Sequence, residues 1–391
     1  MAKFELVVGA NYGDEGKGTV TARIAEKNKR GKILNVLTNG GSQRGHSVLF
    51  DGKTHVFKHF GSGTPFGAVS CFSNDFILNP IQFYKETEEI QKTFGVRPVS
   101  IRMENCKWST PYDMMYNQME SIANWKGTCG MGIWSTIRRY AEMRIPQPTF
   151  SAFSLMSNES KIDFLNSVKR YYETRSVFDV SQFPEYEKPW NSEELQWHFL
   201  ADSVFMFLET GLFEGFDKFD TVIFENGQGL LLGDEGLNDP EKTPSVTGSK
   251  TIESFNIPDE AEVTLHYVTR PYLTRHGSRT FVEEHVDGDM KPELEINTFN
   301  EWQRDFKQAN LGASGRFDLK RRIEKDCAWT FGKKNWNYCL DVTHCDEIDN
   351  SESFLFNFAP GLGDAGKPVV FTFYDNPEIS TQNCSVNMKI V

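Results

Sequence analysis

The sequence predicts an α/β fold: a large, mostly parallel central sheet flanked by helices, with a phosphate loop after the first strand and helical and small subdomain insertions. Three observations carry this. Residues 4–9 (FELVVG), apolar but for Glu5, look like a buried strand. A glycine-rich turn and a helical stretch over 19–29 follow it. Residues 32–38 (KILNVLT) return to a strand pattern and end in a second polar glycine loop. Strand, loop, helix, strand is the opening of a parallel α/β sheet.

Further strands are expected at 221–224 (TVIF) and 262–268 (EVTLHYV), each running into a polar loop that bears glycine or arginine. Open α/β sheets place their ligands at such strand ends. No fixed-period repeat and no Pro/Gly/Ser linker divides the 391 residues, so 1–391 reads as a single domain. Within it, about 150–215 is aromatic-rich and helical in pattern, and is expected to be a packing subdomain.

Composition narrows the function. With 42 Lys and Arg against 54 Asp and Glu, the net charge of −12 leaves no broad basic footprint for a phosphate backbone, so no nucleic-acid partner is expected. A small anion needs only a few N–H groups and a cation in a cleft. No apolar run approaches the roughly 18 residues of a membrane helix, so no membrane partner is expected. MAKFELVVGANYG enters a strand pattern with no basic-then-apolar leader, which makes the cytoplasm the expected compartment. Seven scattered cysteines without a Cys-x-x-Cys pair suggest buried thiols rather than disulfides or zinc.

The first glycine loop is Gly9-Ala-Asn-Tyr-Gly-Asp-Glu-Gly-Lys-Gly-Thr19. Glycines allow close backbone approach to a phosphate, and Lys17 supplies a point charge. Two features separate it from a Walker A loop: six residues lie between Gly9 and Gly16, and Gly18 intervenes between Lys17 and Thr19. Acidic residues beside phosphates are unfavourable unless a carboxylate binds Mg²⁺ or takes a proton.

VVGANYGDEGKG resembles the N-terminal signature of adenylosuccinate synthetases, and further motifs follow in the family's order. They are Asn39-Gly-Gly-Ser-Gln-Arg-Gly-His46-Ser47, His59-Phe-Gly-Ser-Gly63, Leu78-Asn-Pro80, Lys126-Gly-Thr-Cys-Gly-Met-Gly132 and Glu225-Asn-Gly-Gln-Gly229. Pro244-Ser-Val-Thr247, Thr274-Arg-His-Gly277, Ser314-Gly-Arg-Phe-Asp318 and Cys339-Leu-Asp341 complete the series.

The resemblance implies a ligase that joins L-aspartate to carbon 6 of a 6-oxopurine nucleotide through a 6-phosphoryl intermediate, driven by ATP or GTP with Mg²⁺. It implies that Asp14 takes the N1 proton and binds Mg²⁺, that His46 is the general acid at the 6-oxygen, and that the Gly45 carbonyl is a second Mg²⁺ ligand. Gly13, Glu15, Gly16, Lys17, Gly18 and Ser47 would surround the donor phosphates. Gln43, Thr128, Cys129, Gln228 and Thr247 would meet the purine monophosphate. An arginine from a neighbouring subunit, Arg144 or alternatively Arg139, would reach its phosphate, which makes a homodimer with shared sites the expected unit. Asp341 would read the donor base.

Departures from the family pattern bear on the substrates. The arginine-rich loop that grips the aspartate carboxylates and the ribose 2′-hydroxyl is replaced by residues 307–314, leaving Thr274, Arg304 and Lys307 as aspartate-binding candidates. Gln43-Arg44 stands where the family has Asn-Ala. The C-terminal Gly-Pro-Asp-Arg that packs on guanine has no counterpart. These changes resemble bacteriophage members that act on dGMP to make 2-aminoadenine DNA precursors; retention of Asp14 keeps the IMP enzyme as the alternative. A reading of another class is a phosphate-loop switch protein, which would need neither His46 nor the Gln228 and Thr247 loops.

Overall fold

The computed structural model describes residues 2–124, 128–175, 178–232, 246–276, 306–347, 352–375, 378–379 and 386–390. Its central sheet has ten strands: β1 (Lys3–Gly9), β2 (Ile33–Leu37), β3 (Val69–Phe72), β4 (Ser100–Arg102), β5 (Thr210–Leu212), β6 (Thr221–Gly229), β7 (Val263–Thr269), β8 (Trp336–Val342), β9 (Val369–Tyr374) and β10 (Val386–Ile390). Across the sheet they run β10-β9-β8-β7-β1-β6-β2-β3-β4-β5. Every pairing is parallel except β9 with β10. The large mostly parallel sheet expected from the opening pattern is the one observed.

Alternation along the strands feeds two cores. Val7, Ile33, Leu37, Ile223 and Val268 pack with Val20 and Ile24 of α1 (Lys17–Asn28) on one face. Leu6, Val8, Leu34, Val36, Phe224 and Leu265 pack with Leu319 and Ile323 of the helix Ala313–Cys327 on the other. Burial on both faces explains why these strands are mostly apolar rather than strictly alternating.

Two boundaries moved. Helix α1 begins two residues before the expected 19, because Gly16, at φ 87°, takes the left-handed N-cap conformation and puts Lys17 in the first turn. Strand β6 outruns 221–224: the motif Glu225–Gly229 stays in the ladder, Gly229 pairing with Gly9 after a register shift.

The helices Phe150–Leu155, Asn158–Arg175, Pro184–Trp190 and Glu193–Glu209 occupy the aromatic-rich segment. Their Phe153, Phe164, Tyr172, Trp190 and Phe199 join the same core cluster as the α1 face of the sheet.

Candidate active site

β1 lies between β6 and β7, so the loops after β1, β2, β6, β7 and β8 gather at one edge of the sheet. Hydrogen bonds tie them together. Asn11 Nδ2 donates to Thr269 Oγ1 at 3.0 Å, Arg270 Nε to the Asp14 carbonyl at 2.6 Å, and Thr343 Oγ1 to the Glu15 carbonyl at 2.7 Å. The Gly227 amide donates to Asn39 Oδ1 at 2.7 Å.

The phosphate loop leads into the N-terminus of α1, where unpaired N–H groups and the helix dipole favour an anion. Lys17 is buried and donates to the Gly13 carbonyl. Burial pushes its ammonium below the ordinary range, against the pull of Glu15. Glu15 turns its carboxylate inward: Oε1 accepts from the Asn11 amide at 3.1 Å and the Gly13 amide at 2.7 Å. Burial pushes that carboxyl up. The Glu15 side chain is thus turned into the loop, leaving its main chain as the part that faces outward. Asp14, by contrast, is partly exposed, with Oδ2 3.4 Å from His276 Nε2. Gly18 admits the second loop: a Cβ there would come within 2.9 Å of the Ser47 carbonyl and 3.0 Å of His46 Cβ.

His46 starts the strand His46–Phe50 and is buried. Its Nδ1 lies 2.5 Å from Glu225 Oε1. Glu225 is satisfied from every side: Asn35 Nδ2 at 3.0 Å, the Ser62 amide at 3.1 Å, Ser62 Oγ at 2.6 Å and Arg44 Nη2 at 3.2 Å. Burial opposes its charge, but Arg44 and His46 outweigh it and hold its pKa down at about 2. His46 is lowered to about 3, by burial first and by Arg44 second. A carboxylate only accepts, so the contact with Glu225 holds a proton on Nδ1, and Nε2 is buried without a partner. Unpartnered with it are both amide atoms of Gln228, Gln43 Oε1 and Arg44 Nε and Nη1. Such orphans are rare inside proteins and mark places where something else supplies the partner.

Glu225, on which these side chains converge, is a residue that the motif reading named without assigning. Its signal was a carboxylate two positions from Ile223, on the α1 face of the sheet with Asn35. Ser62 of His59-Phe-Gly-Ser-Gly63 exists to satisfy it. Leu78-Asn-Pro80 is a helix start: Asn79 accepts from the Gln82 amide at 3.0 Å and caps Pro80–Phe94.

Two residues expected at ligands are committed elsewhere. Arg139 is fully buried, with Nε 2.8 Å from Asp113 Oδ1 and Nη2 donating to the Trp108 carbonyl at 2.8 Å, so it braces its own protomer and cannot reach another. Arg144 is exposed. Asp341 is also buried: Oδ1 accepts from Tyr374 Oη at 2.7 Å and Oδ2 pairs with His266 Nδ1 at 2.8 Å, while His266 Nε2 meets Glu5 at 3.0 Å. Strand alternation points Asp341 under α1, where it is buried and each oxygen already has one partner.

The remaining candidates are spread around the edge. Thr128 Oγ1 donates to Asn117 Oδ1 at 3.3 Å and accepts from the Gly130 amide, and burial raises the neighbouring Cys129 thiol to about 11. Thr247 lines a cavity of about 390 Å³ with Leu230, Lys250, Arg322 and Lys325. Thr274 is buried on the strand Tyr272–His276, and Lys307 sits opposite Arg275 on its partner strand. Arg304 lies outside the described residues.

A phosphate loop at a helix N-terminus, facing a carboxylate-held histidine and unpaired amides, defines a nucleotide site equipped for proton transfer. The family model for adenylosuccinate synthetase matches residues 6–305, and the chain belongs to that family of carbon–nitrogen ligases. Among relatives, the adenylosuccinate synthetase of Lactobacillus acidophilus is 27% identical over 311 residues, covering 74% of this chain and 67% of that protein. That of Ralstonia nicotianae is 28% identical over 304 residues, covering 73% and 63%. The matches thus span about two thirds of these relatives' length. Two solved structures share the fold. The fully ligated Plasmodium falciparum adenylosuccinate synthetase has a TM-score of 0.61 at 15% identity, covering 95% of this chain and 80% of its own. The cyanophage S-2L succinoaminodeoxyadenylate synthetase, bound to dGMP and to dATP as an energy donor, has a TM-score of 0.62 at 12% identity, covering 97% and 94%.

Proposed function

We propose that this protein joins L-aspartate to carbon 6 of a purine nucleoside monophosphate, with dGMP as the favoured substrate and an adenine nucleotide as the favoured donor. The observation that carries the reading is the group of unpartnered buried atoms beside the phosphate loop: His46 Nε2, the Gln228 amide and Gln43 Oε1. In the first step the N1 proton passes to Asp14. The 6-oxygen then bonds to the γ-phosphorus as that atom's bond to the nucleoside diphosphate breaks. In the second step the aspartate amine bonds to C6, the C6–O bond breaks, inorganic phosphate leaves and the amine sheds a proton.

Mg²⁺ suits the donor set, since the partly exposed Asp14 carboxylate and the exposed Gly45 offer hard oxygens. When bound there it would neutralise phosphate charge.

Guanine differs from hypoxanthine by its 2-amino donor, and Gln43 Oε1 is an acceptor without a partner. The cyanophage enzyme, bound to dGMP and dATP, supports the same choice. Asp341 is buried with a partner on each oxygen, so reading the N1–H and N2–H groups of guanine would require it to be uncovered, which favours ATP or dATP over GTP. Asp14 favours the second reading, the IMP enzyme.

Incubation with aspartate and Mg²⁺ against IMP, GMP and dGMP, crossed with ATP, dATP and GTP, tests these choices by product mass. An unpaired buried polar group costs about 1–3 kcal/mol, or roughly 5- to 150-fold. We expect kcat/KM for dGMP to exceed that for IMP at least ~10-fold. A preference for IMP returns the chain to the second reading, and nucleotide hydrolysis indifferent to aspartate points to a switch protein.

A further inference from the structure

Strands β7 and β8 run side by side through the sheet, with His266 opposite Cys339 and Val268 opposite Asp341. Val268 packs on the α1 face, so the two-residue period puts His266, Cys339 and Asp341 on that face together. One ligand atom from each of the three lies within 4.8 Å of the other two. His266 Nε2 is turned to Glu5 Oε2 at 3.0 Å, so Nδ1 is the nitrogen that shares this space with Asp341 Oδ2, 2.8 Å away. Cys339 and Asp341 are buried.

The surroundings hold each of these side chains by its far side. Glu5 stands behind the imidazole as a carboxylate commonly stands behind a metal-bound one. Tyr374 Oη donates to Asp341 Oδ1 at 2.7 Å, which leaves Oδ2 facing inward. Thr372 Oγ1 lies 3.3 Å from Cys339 Sγ and can donate to a thiolate. Nδ1, Sγ and Oδ2 thus converge, and one thiolate with one carboxylate balances a dication. Bonds of ~2.0–2.3 Å to zinc space tetrahedral ligands roughly 3.3–3.5 Å apart, so side-chain rotation closes the set while the strands stay in place. Thiolate and imidazole select a borderline-soft ion over Mg²⁺, which takes oxygen. Cysteine spacing does not announce such a set, because its members stand two apart on one strand and on that strand's neighbour in the sheet.

We propose that His266, Cys339 and Asp341 form a second metal site, apart from the Asp14 and Gly45 oxygens suited to Mg²⁺, which binds Zn²⁺ through Nδ1, Sγ and Oδ2 and leaves a fourth position for water. The Zn²⁺ takes the place of the Nδ1 and Sγ protons, and both are released to solvent. The ion ties β7 to β8 at the centre of the sheet and commits Asp341 to a metal rather than to a nucleotide base. The site does not depend on the ligase reading.

The test uses the full chain, stripped by a chelator and then dialysed with Zn²⁺ in millimolar Mg²⁺. One equivalent of Zn²⁺ should stay bound, and Co²⁺ in its place should show the charge-transfer and visible bands of a tetrahedral site with a thiolate. Cys339→Ser should abolish the thiolate band and weaken Zn²⁺ binding at least ~10²-fold, more than the loss of an outer partner. Melting temperatures measured in chelator separate a lost ligand from a lost fold. Glu5→Gln keeps all three ligands, so it should keep the band and weaken binding ~10- to 100-fold. Cys129→Ser and Cys345→Ser, at the two thiols that are not fully buried among the described residues, should change neither readout. The site is overturned if the wild-type chain retains no Zn²⁺, or if Glu5→Gln binds it undiminished. A thiolate band that survives Cys339→Ser, or that is lost with Cys129→Ser or Cys345→Ser, overturns it equally.

Discussion

Asp14 and Glu15 are neighbours with the same chemistry and opposite situations. Glu15 is buried, accepting two loop amides, whereas Asp14 keeps its carboxylate at the open side of the loop. Only the exposed one can meet a substrate proton. Asp14→Ala should therefore cost at least ~10²-fold in turnover, the usual worth of a general base, with little change in melting temperature. Steady-state rates on folded variant protein check this, and turnover within a small factor of wild type would sink the role. The Glu225 carboxylate acts one step removed, by fixing which nitrogen of His46 carries the proton. Sequence patterns expose the residue type at such a position; they do not reveal that Asn35, Ser62, Arg44 and His46 all converge on it.

At the scale of elements, the glycine loops and the strands themselves were legible because local chemistry dictates them, while the end of β6 was not. A left-handed Gly16 starts α1 wherever the chain later packs. Asn79 followed by Pro80 is likewise a helix start that needs no tertiary context. Asn79→Ala should destabilise the protein by about 1 kcal/mol through loss of the cap, and leave KM values unchanged. Denaturant titration checks the first expectation and kinetics the second; a large activity loss at unchanged stability would make Asn79 a ligand contact. The helix Ile133–Glu142 shows where local reasoning stops. Arg139, on this element, is buried against Asp113, whereas the chain turns extended at Met143 and Arg144 just past the end is exposed.

For the whole molecule, two buried histidines link stability to pH. Burial, reinforced by Arg44, lowers both His46 and His59 to about 3. Below their ordinary value of 6.5 the unfolded chain binds a proton at each that the folded chain refuses, so stability falls as pH drops from about 6.5 toward 3. Two such protons give a slope of ~2.7 kcal/mol per pH unit. Glu225, held down at about 2, adds a loss that begins below its ordinary 4.5. Melting temperatures should decline steadily between pH 6.5 and 4.5, and His59→Gln should remove about half the slope; a flat profile refutes the account. Assembly is the second question at this scale. We predict a homodimer in which Arg144 completes the neighbouring site, so that mixing inactive Arg144→Ala with inactive Asp14→Ala restores part of the activity. A fully active monomer by sedimentation would rule it out.

The sequence by itself determined the class of fold, the phosphate loop and the family, because apolar run length, glycine placement and motif order are properties of neighbours along the chain. What each charged side chain faces was decided by tertiary structure. In a parallel sheet, partners on adjacent strands can lie far apart in the chain, as Phe4 and Val263 do, and a period of two selects the face each residue takes. Asp341 carries a family motif and still ends against His266 and Tyr374, since its strand turns it under α1. Arg44, where the family pattern has alanine, lies buried beside Glu225 and His46, a placement set by β2 and β6 being neighbours in the sheet. Burial makes an unpaired donor costly, and only the folded chain says which donors are buried and which are paired.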